Sequence, residues 1–286
     1  MSAPSTTLPA IFLAHGSPGL IWPKEIPRRP PAPGEVGGPL GPHRKFLETY
    51  GPHILEKYQP KAIVVFSAHW ETKDAIQVMD NEENELLYDY YNFPEQLYNL
   101  HFKSKGSSKI SSRVVELLTK NGIKAEKLHN GRGLDHGVFV PFLLMFPNDF
   151  NIPIIEVSID ASLDPEKHLD IGKALAPLRD ENVLIISGGL TIHTFQDGDA
   201  WNPLTASPGY LDFENQIKSG VTHAVSAFER NEKLLKVTTH PFYRKAHPRV
   251  EHFIPIYIAA GAGSREGDKA SVVSDLHGAI TIEFGV

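Results

Sequence analysis

Three apolar, strand-like runs in this chain each end on a histidine: AIFLAH at His15, AIVVFSAH at His69 and VLIISGGLTIH at His193. Continuous apolar runs separated by helix-patterned segments predict strands buried on both faces, the mark of a sheet with parallel pairs. Parallel strands deliver their carboxyl ends to one rim, and ligands bind in the crevice outside it. Histidines far apart in sequence can meet there. Imidazole is the commonest metal ligand among side chains, so one pattern bears on both the fold class and the chemistry.

The rest of the chain extends this reading. Residues 9–14, 62–67, 76–79, 124–128, 153–159 and 183–186 read as strands, and 271–274 with 279–284 as a closing strand pair. Helical spacing covers 43–58, 109–121, 137–146, 165–179, 211–230 and 252–260. Strands and helices mostly alternate. That predicts a single α/β domain over 1–286, with a central mixed, largely parallel sheet, helices on both faces and the active site at the strand C-terminal rim. The Pro- and Gly-rich stretch 23–42 cannot hold a regular helix or central strand and reads as a surface insertion near the rim. The aromatic segment LLYDYYNFPEQLYNLHF at 86–102 is a candidate wall for a flat substrate.

Composition removes several classes. The 286 residues carry 28 basic and 34 acidic side chains, a formal charge of -6, with no basic stripe of the kind a nucleic-acid binder shows. The longest apolar stretch, 138–146, is far short of the ~20 residues a membrane-crossing helix needs. The opening MSAPSTTLP lacks a basic region followed by an apolar one, so no secretory signal is expected and the cytoplasm is the expected location. There are no cysteines, so any metal is held by nitrogen and oxygen, and 14 histidines are available. The phosphate loop, H-E-x-x-H and the G-x-S-x-G elbow are all absent.

Each histidine has a plain structural reading beside the functional one. His15 precedes Gly16, which allows close backbone approach; it is a ligand or a turn histidine. His69 in SAHWE is a ligand or a strand-end histidine held by a carbonyl. His193 follows Ser187-Gly188-Gly189, small residues that leave room above a strand end. His252 opens an apolar helix, where a structural role is the more common one. His136 follows Asp135, which either orients it for catalysis or simply caps the next helix.

HGSP at 15–18, SAHWET at 67–72, YNFPEQLY at 91–98, GLDHG at 133–137 and EHFIP at 251–255 occur in one order across the chain. On these motifs it resembles the class III extradiol ring-cleavage dioxygenases, specifically the 4,5-DOPA dioxygenase subfamily. The resemblance implies one divalent metal per chain bound by His15, His69, His193 and His252. It implies His136 as the acid–base residue, with His193 a fourth ligand or a nearby base. Fe(II) is the metal expected for dioxygenase activity, and Zn(II) the alternative. The implied substrates are a DOPA-like catechol and O2, and the product a muconic semialdehyde. Two departures stand out: the 23–42 segment is longer than in plant and bacterial relatives, and His252, beside Glu251, stands where better-studied class III enzymes use a glutamate. Four imidazoles also suit zinc, which leaves a zinc-binding hydrolase or a non-catalytic zinc protein on the same fold as the competing reading.

Overall fold

The computed structural model describes residues 7–28, 30, 32–147 and 150–286; Arg29 and Pro31 of the Pro-rich segment lie outside the described residues. In chain order the elements are β1 (Ala10–Ala14), α1 (Pro42–Tyr58), β2 (Ala62–Thr72), β3 (Ile76–Met79), β4 (Glu83–Asn84), β5 (Ser104–Lys105), α2 (Ser108–Lys120), β6 (Ala125–Leu128) and α3 (His136–Met145). There follow β7 (Ile154–Asp160), α4 (Pro165–Leu175), β8 (Val183–Gly189), α5 (Pro208–Thr222), α6 (Ala227–Lys236), α7 (Tyr243–Ala246), α8 (Pro255–Ala262), β9 (Ala270–Leu276) and β10 (Ala279–Phe284).

The main sheet has the order β6-β3-β7-β2-β8-β1-β10-β9, and β4 and β5 form a separate ribbon. Its centre, β7-β2-β8-β1, is parallel throughout. Antiparallel contacts join this block to β3 on one side and β10 on the other. This is the mixed, largely parallel sheet that the sequence predicts.

Strand side chains alternate between two cores. Phe12, Val64, Phe66, Val183 and Ile185 join residues of α2, α4, α5, α6 and α8. Ile11, Leu13, Ile63, Val65, Leu184 and Ile186 join α1 and α3 on the other face. Both faces are covered, so both sets of alternating positions are apolar and the strands read as unbroken hydrophobic runs.

Several boundaries differ from the sequence reading, each for a local reason. The helix expected over 211–230 is two helices. Ser226 Oγ accepts from Glu229 N at 3.1 Å while Glu229 Oε2 accepts from Val225 N at 2.8 Å, a reciprocal cap that starts α6 afresh. The helix expected from 252 begins at Pro255, whose missing N–H suits a first helical position. His252 therefore lies in the turn ahead of it. The run expected to carry strand structure to His193 leaves the sheet at Gly189. The helix over 165–179 ends at Leu175 and finishes as a 3₁₀ turn, and β2 continues past Ser67 to Thr72.

Buried His43, in the first turn of α1, donates its Nε2 proton to the carbonyl of Ala14 at 2.9 Å, tying α1 to the end of β1. Burial pulls its pKa down to about 4, although the hydrogen bond to Ala14 works the other way. The unfolded chain would protonate this ring near 6.5. Between these values the unfolded state binds the proton and the folded state does not, so stability falls as pH drops from about 6.5 towards 4. His43→Gln should flatten that fall. Urea midpoints of the two metal-free proteins, measured from pH 7 to 4.5, should diverge in slope; parallel profiles would mean that His43 contributes nothing to acid sensitivity.

Candidate metal centre

Because β2, β8 and β1 are adjacent and parallel, their carboxyl ends share one rim. His15 follows directly on β1. His69 lies in a bulge of β2: Ser67 pairs with Ser158 and Glu71 with the next residue, Ile159, so residues 68–70 arch out of the ladder. Bulges re-aim side chains at sheet rims, and this one carries a histidine. His252 arrives from the turn before α8, and its carbonyl accepts from Leu190 N at 2.9 Å, just past β8. The approach is so close that a side chain at Gly189 would strike that carbonyl.

The three rings form a nearly equilateral triangle, with centroids 5.0 Å (His15–His69), 5.2 Å (His15–His252) and 5.0 Å (His69–His252) apart. One nitrogen from each lies within 4.8 Å of the other two. Each Nδ1 faces an acceptor: Gly16 O at 2.7 Å from His15, Glu251 Oε1 at 2.9 Å from His252 and Asp135 Oδ1 at 3.3 Å from His69. Carbonyls and carboxylates only accept, so these contacts place a proton on Nδ1 and, in the neutral ring, leave the lone pair on Nε2. The Nε2 atoms of His69 and His252 stand 3.0 Å apart, and that of His15 is buried without a partner. With no cation between them, one of the two facing Nε2 atoms must hold a proton to bond the other, and an orphaned buried acceptor is costly. A shared cation relieves both. Imidazoles whose other nitrogen is held by a carboxylate or carbonyl are the usual donor set for one.

Electrostatics agree with that fit. Burial, reinforced by neighbouring imidazoles, holds His15 and His252 well below the normal histidine pKa and so keeps them neutral. Burial acts the same way on His69, but the hydrogen bond and charge of Asp135, with Asp89 behind them, raise its pKa overall. Positive charge is favoured at that corner. Asp135 is itself buried, yet His69 and Arg132 keep it ionised, and it accepts from Ser67 Oγ (2.9 Å), Gly137 N (2.9 Å) and Arg132 Nη2 (2.7 Å). Beneath it, Glu156 accepts from Arg132 Nε and Asp135 N; burial and the Asp135 charge push its carboxyl upward. Gly137 leaves space for this corner, since a Cβ there would lie 2.8 Å from His69 Nδ1.

The other two predicted residues flank the triangle. His136 stacks on His69 with centroids 4.1 Å apart at 20°. Its carboxylate partner is not the adjacent Asp135, which caps α3 and serves His69, but Asp89. Asp89 Oδ1 accepts from both Nδ1 (2.7 Å) and the backbone N (3.0 Å) of His136. Sequence reading did not single out Asp89; its one signal is an acid inside an aromatic run. His193 stacks face to face on His252, centroids 3.5 Å apart, with Nδ1 3.7 Å from Glu251 Oε1. It stands outside the three-nitrogen group. Burial, with the nearby His69 and His136, lowers its pKa to about 4.

Aromatic rings wall the cleft. Tyr90 sets its edge against His136 at 5.6 Å, with Phe93 and Tyr98 behind it. Phe195, 85% exposed, lies 5.2 Å from the His193 ring. Other histidines hold backbone carbonyls instead: His168 that of Asp164, His247 that of Thr191 and His277 that of Ala200.

A sequence profile described as the catalytic LigB subunit of aromatic ring-opening dioxygenase matches residues 26–285. The chain belongs to the LigB family. It is 47% identical to a 4,5-DOPA dioxygenase extradiol-like protein of Schizosaccharomyces pombe, over 98% of this chain and 92% of that one. Identity to the 4,5-DOPA dioxygenase extradiol of Beta vulgaris is 37%, over 81% of this chain and 83% of the relative. An uncharacterized protein of Escherichia coli K12 shares the fold, with a TM-score of 0.69 at 24% identity over 97% of this chain and 100% of that one. The chain is thus an extradiol ring-opening dioxygenase by family, and that family implies a non-haem metal. Among the described residues, no helix is long and apolar enough to cross a membrane.

If Glu251 orients His252, removing its charge should weaken the metal site. Glu251→Gln is expected to lower metal affinity ~10- to 100-fold, the usual cost of losing a partner behind a ligand. Competition with a chromophoric chelator measures this, and unchanged affinity would remove Glu251 from the site's support.

Proposed function

We propose that the protein opens the aromatic ring of a DOPA-like catechol with O2 to give a muconic semialdehyde, using one Fe(II) per chain held by His15, His69 and His252. The observation that carries this reading is the convergence of the Nε2 atoms of His15, His69 and His252, each ring anchored through Nδ1. These three histidines would hold the iron, which when bound would supply the electron density that couples catechol to dioxygen. Extradiol cleavage breaks the ring bond beside the two hydroxylated carbons, and both oxygen atoms enter the product.

The chain's own residues orient the substrate and move protons. The aromatic wall around Tyr90 offers a flat surface beside His136. His136 has one nitrogen committed to Asp89, and its other nitrogen exchanges a proton with the substrate, the general acid–base role. His193, stacked on His252 and kept neutral by burial, is better suited to a base beside the metal than to a fourth ligand. The family's 4,5-DOPA names support this substrate class.

A zinc protein is the second reading, favoured by the same imidazoles backed by carboxylates. Anaerobic reconstitution separates the two. With Fe(II), L-DOPA or a simple catechol should consume oxygen and yield a yellow product, and with Zn(II) neither should happen. The dioxygenase reading would be falsified if no catechol consumed oxygen in the iron-loaded protein. His136→Ala should lower turnover by ~100-fold or more, the span of a general acid–base contribution, with metal content near normal. Loss of metal in that variant would move His136 into the ligand set.

A further inference from the structure

We propose that Asp89 is the positioning residue for His136: it fixes the ring's tautomer and plane, so that proton exchange with substrate has to run through Nε2. The inference deepens the ring-opening reading and rests on it for its catalytic consequence. Its basis is a two-point grip. One oxygen, Oδ1, accepts from the His136 backbone N–H at 3.0 Å and from Nδ1 at 2.7 Å. A carboxylate oxygen cannot donate, so Nδ1 must carry the proton and Nε2 is left with the lone pair. Gripping the backbone and ring of one residue together also restricts rotation about the side chain.

Asp89 is itself held by a built structure. Leu134 N donates to Glu85 O at 2.8 Å and Leu87 N to Leu134 O at 2.7 Å, so the strip 85–87 is laced to the residue just before Asp135-His136. Leu86 and Leu134 form a parallel bridge there. Asp89 N then donates to Leu87 O at 3.0 Å, turning the carboxylate back towards the start of α3. The next residue, Tyr90, closes against the His136 ring from the side. One face of the ring stacks on His69. The aromatic segment thus supplies the group that aims His136 as well as a wall.

The two carboxylates beside these stacked rings divide their work. Asp135 Oδ1 lies 3.3 Å from His69 Nδ1, whereas Asp89 Oδ2 is 3.8 Å from it and Asp89 Oδ1 belongs to His136. Loss of Asp89 should therefore disturb His136 while leaving metal content intact. Loss of Asp135 should do the reverse.

Asp89→Ala and Asp89→Asn test the proposal together. Alanine removes the acceptor; asparagine keeps an acceptor oxygen and removes only the charge. In Asp89→Ala, kcat should fall ~100-fold, on the scale of a lost general acid–base contribution. KM should move less than about threefold and metal content should hold, while Asp89→Asn recovers part of kcat. A second readout needs no turnover. Nitrogen-15 spectra of histidine-labelled, Zn(II)-loaded protein should show His136 protonated at Nδ1 in the wild type and in Asp89→Asn. In Asp89→Ala they should show Nε2–H or a tautomer mixture. Retention of the Nδ1–H form in Asp89→Ala, or a kcat within about threefold of wild type, would overturn the proposal. If even the wild-type, iron-loaded protein opened no catechol, the ring-opening reading would fall, and the tautomer spectra would still decide whether Asp89 sets the His136 ring.

Discussion

The site depends on the in-register parallel pairing of β2, β8 and β1. Ile185 pairs with both Val64 and Ala10, and from that alignment the ends of all three strands emerge on one rim. His15 leaves the first strand there, the bulge in β2 turns His69 towards it, and the end of β8 binds the turn that carries His252. A parallel sheet buried on both faces tolerates little slippage, because a one-residue shift would reverse every side chain between the two cores. The packing that makes the sheet stable is therefore also what fixes the spacing of the imidazoles.

Around that frame, each functional ring is held by a group that only accepts hydrogen bonds. Gly16 O, Asp135 and Glu251 hold the three rings of the triangle, and Asp89 holds His136. Such anchoring fixes the ring plane and favours one tautomer, and it turns the three Nε2 atoms towards one another. The cost is a crowded set of buried ring nitrogens, with that of His15 left without a partner. The buried Asp135–Arg132–Glu156 group beneath His69 shows how much supporting structure one such ring requires.

Much of this was legible before the fold was known. The apolar run ending at His15 marks a strand end, whereas the run ending at His69 continues through a bulge to Thr72; motif resemblance points to His136, His193 and His252. The helix break at Ser226 is also written locally, as a serine three residues ahead of a glutamate, within a helical period that runs on past it. Three features could not be read from sequence. The bulge that carries His69 depends on which β7 residues lie opposite, Asp89 meets His136 across 47 residues, and His193 stacks on His252 because separate turns bring them together.

By itself, the sequence determined the strand pattern, the absence of thiolate ligands and the supply of histidines near strand ends. These are properties of residue type and local period, which need no partner to be expressed. Tertiary structure alone decided which histidines share a centre, which carboxylate serves which ring and which nitrogen each ring presents. Those outcomes rest on distances of about 3 Å between residues far apart in the chain, set by register and packing that no local pattern encodes.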